Sequence, residues 1–194
     1  MTRSDSGGVR CAVVHMLNSD TAEVQCLRNE YDPTARLIQP HVTLVFPFEV
    51  DRVAKPDLLE HVAHVAQQAA PFDARFSRLE LSWDQWVFLT PDLGVQQLVS
   101  LHDQLYAGLL HPFHRVDLPF VPHVSIGYFG SKTGGPDLAG PVVTDLDRNR
   151  YDRLMSHVDG IKLECSSRVT EIQLIMVDPD FTGTHLVRSF PLGS

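Results

Sequence analysis

One short phrase occurs twice in the chain: Pro40-His41-Val42-Thr43 and Pro122-His123-Val124-Ser125. Each copy runs on into apolar and aromatic residues, Leu44-Val45-Phe46-Pro47-Phe48 and Ile126-Gly127-Tyr128-Phe129. Both read as strands, and residues i and i+2 of a strand share a face. Each phrase therefore sets an imidazole beside a hydroxyl. The pattern His-x-Ser/Thr alone is common; the shared Pro before, Val between and aliphatic residue after make a matched pair. Two copies brought together supply a proton donor, a proton acceptor and two hydroxyls able to bind an anion. Such a set suits phosphodiester chemistry without a metal.

The rest of the pattern alternates strands and helices. Val9 to Met16 reads as a buried strand. Thr21 to Tyr31 reads as a helix with Val24, Leu27 and Tyr31 on one stripe. Asp20 and Glu23 resemble a capping box at its start, and Asp32-Pro33 stops it. The first motif strand spans Leu37 to Phe46, and a helix covers Pro56 to Ala69. Strands follow at Phe72 to Leu81 and Trp86 to Thr90. Pro91-Asp92-Leu93-Gly94 opens a helix whose stripe is Leu98, Leu101, Leu105 and Leu109. The second motif strand spans Pro119 to Phe129. Gly130 to Pro141, rich in Gly and Pro, reads as a mobile surface loop. A helix from Asp145 to Val158 and strands at Ile161 to Cys165, Glu171 to Val177 and His185 to Phe190 complete the chain. The order implies an α+β fold of two pseudo-symmetric lobes, each an antiparallel sheet backed by helices, with the motif strands facing across a central groove. Residues 1–8 read as a flexible leader and 9–192 as one domain of two lobes.

The 194 residues carry 16 basic and 24 acidic side chains, a formal charge of −8. No run of Lys and Arg supplies the clustered charge on which tight binding of long duplex nucleic acid depends. A small nucleotide or an RNA end fits this balance better. No apolar run is long enough to span a membrane. Cys11, Cys26 and Cys165 are too few and scattered for a disulfide framework or a four-cysteine zinc site. A reducing, cytoplasmic setting and a monomer are the expectations.

Other candidate chemistries lack parts. His61 and His64 lie one helical turn apart, and His111-Pro112-Phe113-His114 reads as lying in a loop, but neither pair has an obvious Cys or carboxylate to complete a metal site. No nucleophile elbow accompanies any Ser or Cys. Tyr128, Phe46 and Trp86 are aromatics able to stack a base, although aromatics in apolar strands more often belong to a core. Tyr31-Asp32-Pro33 reads first as a helix stop, and His15 as a buried structural histidine. Gly127, two residues past Ser125, reads as leaving room for phosphate.

The paired motifs resemble those of the 2H phosphoesterases, a family that includes the bacterial RNA 2′,3′-cyclic phosphodiesterases of the 2′-5′ RNA ligase type. Arg28-Asn29-Glu30-Tyr31-Asp32-Pro33 is similar to a segment of its YjcG-like bacterial branch, as Trp86-Val87-Phe88-Leu89 is to the family's central strand. The resemblance implies a cyclic phosphodiesterase with no cofactor. His41 and His123 would be its acid and base in either order, and Thr43 and Ser125 its phosphate-binding hydroxyls. One feature departs. The Arg that in the RNA ligase branch often follows a motif is missing from Val45-Phe46-Pro47 and Gly127-Tyr128-Phe129, leaving Lys132 or Arg36 as substitutes. Two alternatives stay open: a non-catalytic nucleotide- or RNA-binding module, and a phosphoesterase for a non-nucleotide phosphodiester.

Overall fold

The computed structural model describes residues 9–131, 145–178 and 182–193. Among the described residues eight strands form two four-stranded antiparallel sheets. The first sheet joins β1 (Arg10–Met16), β2 (His41–Glu49), β7 (Glu171–Val177) and β8 (Thr184–Pro191) in the order β2-β1-β7-β8. The second joins β3 (Phe72–Leu81), β4 (Trp86–Leu93), β5 (Val124–Tyr128) and β6 (Cys165–Val169) in the order β5-β4-β3-β6. The two-lobed α+β arrangement expected from the sequence is present, but the lobes are not halves of the chain. Both ends build the first sheet, and the middle builds the second. Each motif strand lies at the edge of its sheet, and these two edges, β2 and β5, meet.

The helices cross between lobes. α1 (Ala22–Tyr31) connects β1 to β2, yet packs on β5 of the other sheet. Its buried stripe is Val24, Leu27, Arg28 and Tyr31. α2 (Lys55–Gln68) lies on β7 and β8, and α3 (Val95–Tyr106) on β2 and α2. α4 (Arg148–Val158) clamps α1 to β5. Its Arg150 donates from Nη1 to the Tyr128 carbonyl at 2.9 Å and from Nη2 to the Tyr31 and Glu30 carbonyls at 3.1 and 3.2 Å. Those last two are carbonyls at the end of α1, which have no partner inside the helix. One continuous apolar cluster runs through both sheets, from Val13 and Leu44 to Phe76 and Ile126. Among the described residues no helix is long and apolar enough to cross a membrane.

Several boundaries differ from expectation for identifiable reasons. Both motif strands start late, at His41 and Val124. Pro40 and Pro122 have no N–H to give a ladder and keep the residues before them out of the sheets. Asp20 does not cap α1: it sits in the left-handed region (φ 51°), Thr21 takes the cap position, and no side-chain cap bond forms. Pro91 to Leu93 complete β4, where Arg75 grips Asp92 through two bonds of 2.8 Å, and Gly94 at φ 82° turns the chain into α3. Leu110, not Leu109, is the fully buried residue after α3, in a short 3₁₀ turn. The strand expected at Ile161 to Cys165 is instead Cys165–Val169, where Cys165, Ser167 and Val169 point inward. The polar Ser167 disguised that alternation; it is buried because its hydroxyl meets His15 Nε2 at 2.8 Å. The leader and most of the segment from Gly130 to Pro141 lie outside the described residues.

Candidate active site

Burial alternates along both motifs. His41 and Thr43 are half-buried while Val42 and Leu44 are buried, and His123 and Ser125 are half-buried while Val124 and Ile126 are buried. The apolar partners anchor each strand in the core and so turn imidazole and hydroxyl outward together. In both strands the alternation then breaks at the same place. Thr43 pairs with Val14 and Val45 with Val13, so Leu44 is an extra residue in β2. Ser125 pairs with Phe88 and Gly127 with Val87, so Ile126 is an extra residue in β5. A bulge directly after the hydroxyl residue is thus common to both motifs. In β2 it lets Leu44 and Val45 bury together, with a second irregularity following between Val45 and Phe48; in β5 it reverses the face of the residues that follow.

That reversal corrects the expectation for Gly127. It does not share the groove face with His123 and Ser125. It is buried against α1, where an added Cβ would stand 2.5 Å from the Cβ of Tyr31 and 2.9 Å from its carbonyl oxygen. The glycine makes room for a helix rather than for phosphate.

The two histidines are oriented alike. His41 Nδ1 lies 2.8 Å from the Gln39 carbonyl oxygen, and His123 Nδ1 lies 2.6 Å from that of Val121. A carbonyl only accepts, so Nδ1 carries the proton in each ring and Nε2 is the proton-accepting atom of the neutral form. Among the described residues neither Nε2, nor the hydroxyl of Thr43 or Ser125, has a hydrogen-bond partner. The His123 ring is stacked on Phe88, centroids 3.7 Å apart.

Their surroundings differ in charge. Burial pushes the His41 pKa down; its bond to the Gln39 carbonyl resists, the charges of Arg28 and His123 add to the fall, and the value reaches about 4. Burial lowers that of His123 as well, opposed by its bond to Val121 and by the Asp84 carboxylate. Asp84 sits in the β3–β4 turn, hydrogen-bonded to Ser82 Oγ, and the turn is tied to the second motif by Phe129 N–H donating to the Gln85 carbonyl at 2.8 Å. The pair therefore has one cationic and one anionic flank.

The remaining sequence candidates are placed differently. Tyr128 is buried at 5% exposure with its ring 5.4 Å from Trp86, so it is a core residue rather than an open stacking surface. Phe46 is half-buried on β2, past the bulge, with its N–H donated to Tyr106 Oη at 3.0 Å. Arg36 is exposed in the turn before the first motif, with no described contact to the groove. Lys132 lies outside the described residues. His15 is buried between the Glu171 carbonyl and Ser167, a structural role as expected. His61 Nε2 is bonded to the Leu105 carbonyl at 2.8 Å and His64 to Gln68. Among the described residues no three His, Cys, Asp or Glu side chains gather as a metal-holding group.

Residue-level reading missed Arg28, Asp84 and Phe88. Arg28 had a signal: it falls on the Val24-Leu27-Tyr31 stripe, where a charged residue is out of place unless something uses it.

The family model described as the 2'-5' RNA ligase superfamily matches residues 18–175. A provisionally named phosphoesterase of Bacillus licheniformis is 26% identical over 115 residues, 58% of this chain and 66% of the relative. One of Oceanobacillus iheyensis is 30% identical over 106 residues, 54% of this chain and 61% of the relative. The matched region spans about three fifths of these relatives' length. Among solved structures, Escherichia coli LigT complexed with 3'-AMP superposes with a TM-score of 0.56 at 16% identity, covering 96% of this chain and 99% of that one. The Thermus thermophilus protein TT0787 superposes with a TM-score of 0.60 at 18% identity, covering 95% and 99%. At those identities the likeness is one of fold.

Proposed function

The chain belongs to the 2'-5' RNA ligase superfamily, and we propose that it is a metal-independent phosphodiesterase that opens 2′,3′-cyclic phosphates on RNA ends or small nucleotides. The observation that carries this reading is the matched orientation of His41 and His123. Each ring gives its Nδ1 proton to the carbonyl two residues earlier, leaving Nε2 uncommitted beside an uncommitted hydroxyl. The neighbouring LigT complexes with 3'-AMP and with ATP are in keeping with a nucleotide ligand.

Hydrolysis of a cyclic phosphate needs a base for water and an acid for the departing ribose oxygen. His41, held neutral by burial and by Arg28, is suited to take the water proton on Nε2. His123, next to the Asp84 carboxylate, is suited to hold a proton on Nε2 and release it to the leaving oxygen. Water oxygen bonds to phosphorus, the bond from phosphorus to one ribose oxygen breaks, and one proton enters at His41 as another leaves at His123. Thr43 and Ser125 donate to the non-bridging oxygens as their negative charge grows. An approaching phosphate anion itself favours the protonated histidine, so substrate binding sets up the acid.

The test is turnover of 2′,3′-cyclic mononucleotides with EDTA present, by the wild type and by His41→Ala and His123→Ala. Each replacement should lower kcat by roughly 10²–10⁴-fold, the usual contribution of a positioned acid or base. Turnover unchanged in both variants would refute the mechanism.

A further inference from the structure

Arg28 is 1% exposed, among the most deeply buried side chains of the molecule. Its Nε donates to Asp32 Oδ2 at 2.9 Å, and Nη1 reaches Gln25 Oε1 at 3.3 Å. Among the described residues Nη2 has no hydrogen-bond partner at all, although it is shielded from solvent. Asp32 does not supply the missing bond, because its other oxygen already accepts from Thr34 N–H at 2.7 Å and Thr34 Oγ1 at 2.6 Å. Asp32 engages Nε and Gln25 engages Nη1, which leaves Nη2 alone without an acceptor. A buried charged donor with no acceptor is strongly unfavourable, and such a group in a folded protein calls for a reason.

The location supplies one. α1 lies on β5, and Gly127 lets Tyr31 approach until only a hydrogen fits between them. Arg28 is one turn earlier on the same buried face, and its charge is felt at His41. Of the substitutes considered for the absent post-motif arginine, Arg36 is exposed and Lys132 is not described. Arg28 is a cation whose charge acts on His41.

We propose that Arg28 is the phosphate-holding cation of the groove, its bare Nη2 donating to a non-bridging oxygen of the bound phosphate ester. The assignment rests on reading the groove as a phosphodiester site. It makes α1 a functional element: the helix that locks the lobes together also delivers the permanent positive charge that neither motif carries. A guanidinium fixed by Asp32 meets an oxyanion with little loss of side-chain freedom, which makes a charge-assisted bond effective. Nη2 lies beneath the present surface, so the phosphate must seat deeper than solvent now reaches.

The decisive measurement uses the wild-type protein. Nitrogen-resolved NMR would follow the Arg28 guanidinium, assigned by its loss in Arg28→Lys, alongside the His41 and His123 rings during titration with inorganic phosphate. The expected result is that Arg28 and both histidines shift with one dissociation constant. Histidine shifts with an unmoved Arg28 would overturn the assignment and leave the phosphate reading of the groove standing. No shift at any of the three would overturn both. In folded variants, Arg28→Met should weaken phosphate binding by roughly tenfold or more, and Arg28→Lys should restore part of the loss. Equal affinity in all three proteins would count against the assignment.

Discussion

The side chain of Tyr31 stands where a side chain on Gly127 would have to be, Cβ within 2.5 Å of the position a Cβ would take. This contact joins a helix from one end of the chain to the edge strand of the other lobe, so it registers the two histidine motifs against each other. Arg150 reinforces it by bonding carbonyls on both sides, those of Tyr31 and Tyr128.

Gly127→Ala is therefore expected to destabilise the fold by about 1–3 kcal/mol, the usual penalty of overpacking. The added methyl meets backbone and Cβ rather than a flexible side-chain end. Urea unfolding of the wild type and the variant checks it. Were the glycine there to admit phosphate, the variant would instead keep its stability and raise KM.

The unequal flanks of the histidines give a pH signature. The base must be unprotonated, which His41 is above about pH 4. The acid must be protonated, which His123 is only below a pKa that burial has already lowered from its ordinary value. The kcat/KM profile of the free enzyme should then be bell-shaped with its maximum on the acidic side of neutrality. Asp84 raises the His123 pKa, so Asp84→Asn should move the alkaline limb to lower pH and leave the acid limb in place. Movement of the acid limb instead would exchange the two roles.

The motif pair, the α+β class and the facing motif strands were all legible in the sequence, because apolar alternation and the repeated phrase are local signals. What escaped depends on contacts between distant residues. Nothing local reveals the bulges at Leu44 and Ile126, since each exists only against its partner strand. Gly127 was consequently assigned the wrong face. Ser167 broke the apolar pattern of β6 because its partner, His15, is 152 residues away. Arg28 was hidden by its own motif, where Asp32-Pro33 reads well as a helix stop and does end α1, while the carboxylate's second task needs the folded neighbourhood to be seen.

His102 gives a test of how the second motif is aimed. It is buried, its Nδ1 is 2.8 Å from the carbonyl of Leu44 at the first bulge, and its ring lies flat on Phe120 with centroids 3.7 Å apart. The next residue, Val121, holds His123 Nδ1. His102 thus links one motif to the carbonyl that orients the other. His102→Leu should lower kcat by roughly tenfold with little change in KM, since a small misplacement of a catalytic group is costly. It should also shift the His123 resonance in NMR. Loss of stability with the His123 resonance and kcat unmoved would mean a purely structural histidine.

The same burial that tunes the site should make the fold sensitive to acid. His15, His41, His102 and His123 all have pKa values lowered mainly by burial. In the unfolded chain they take up protons around pH 6.5, whereas the native protein resists doing so until lower pH. Between those points the unfolded state binds more protons, so stability rises with pH and falls as the solution is acidified. The stabilising contribution is whole above the unfolded value, and for His41 it is spent by about pH 4. Urea midpoints measured from pH 7 down to pH 4.5 should fall progressively. Replacing His41 by Ala removes one of the groups that resists protonation, so the slope should flatten. His185, exposed beside Asp178, serves as the control, since its replacement leaves those four histidines in place. An unchanged slope in His41→Ala would mean that its ring is as easily protonated in the folded protein as in the unfolded chain, and the case for His41 as the base would go with it.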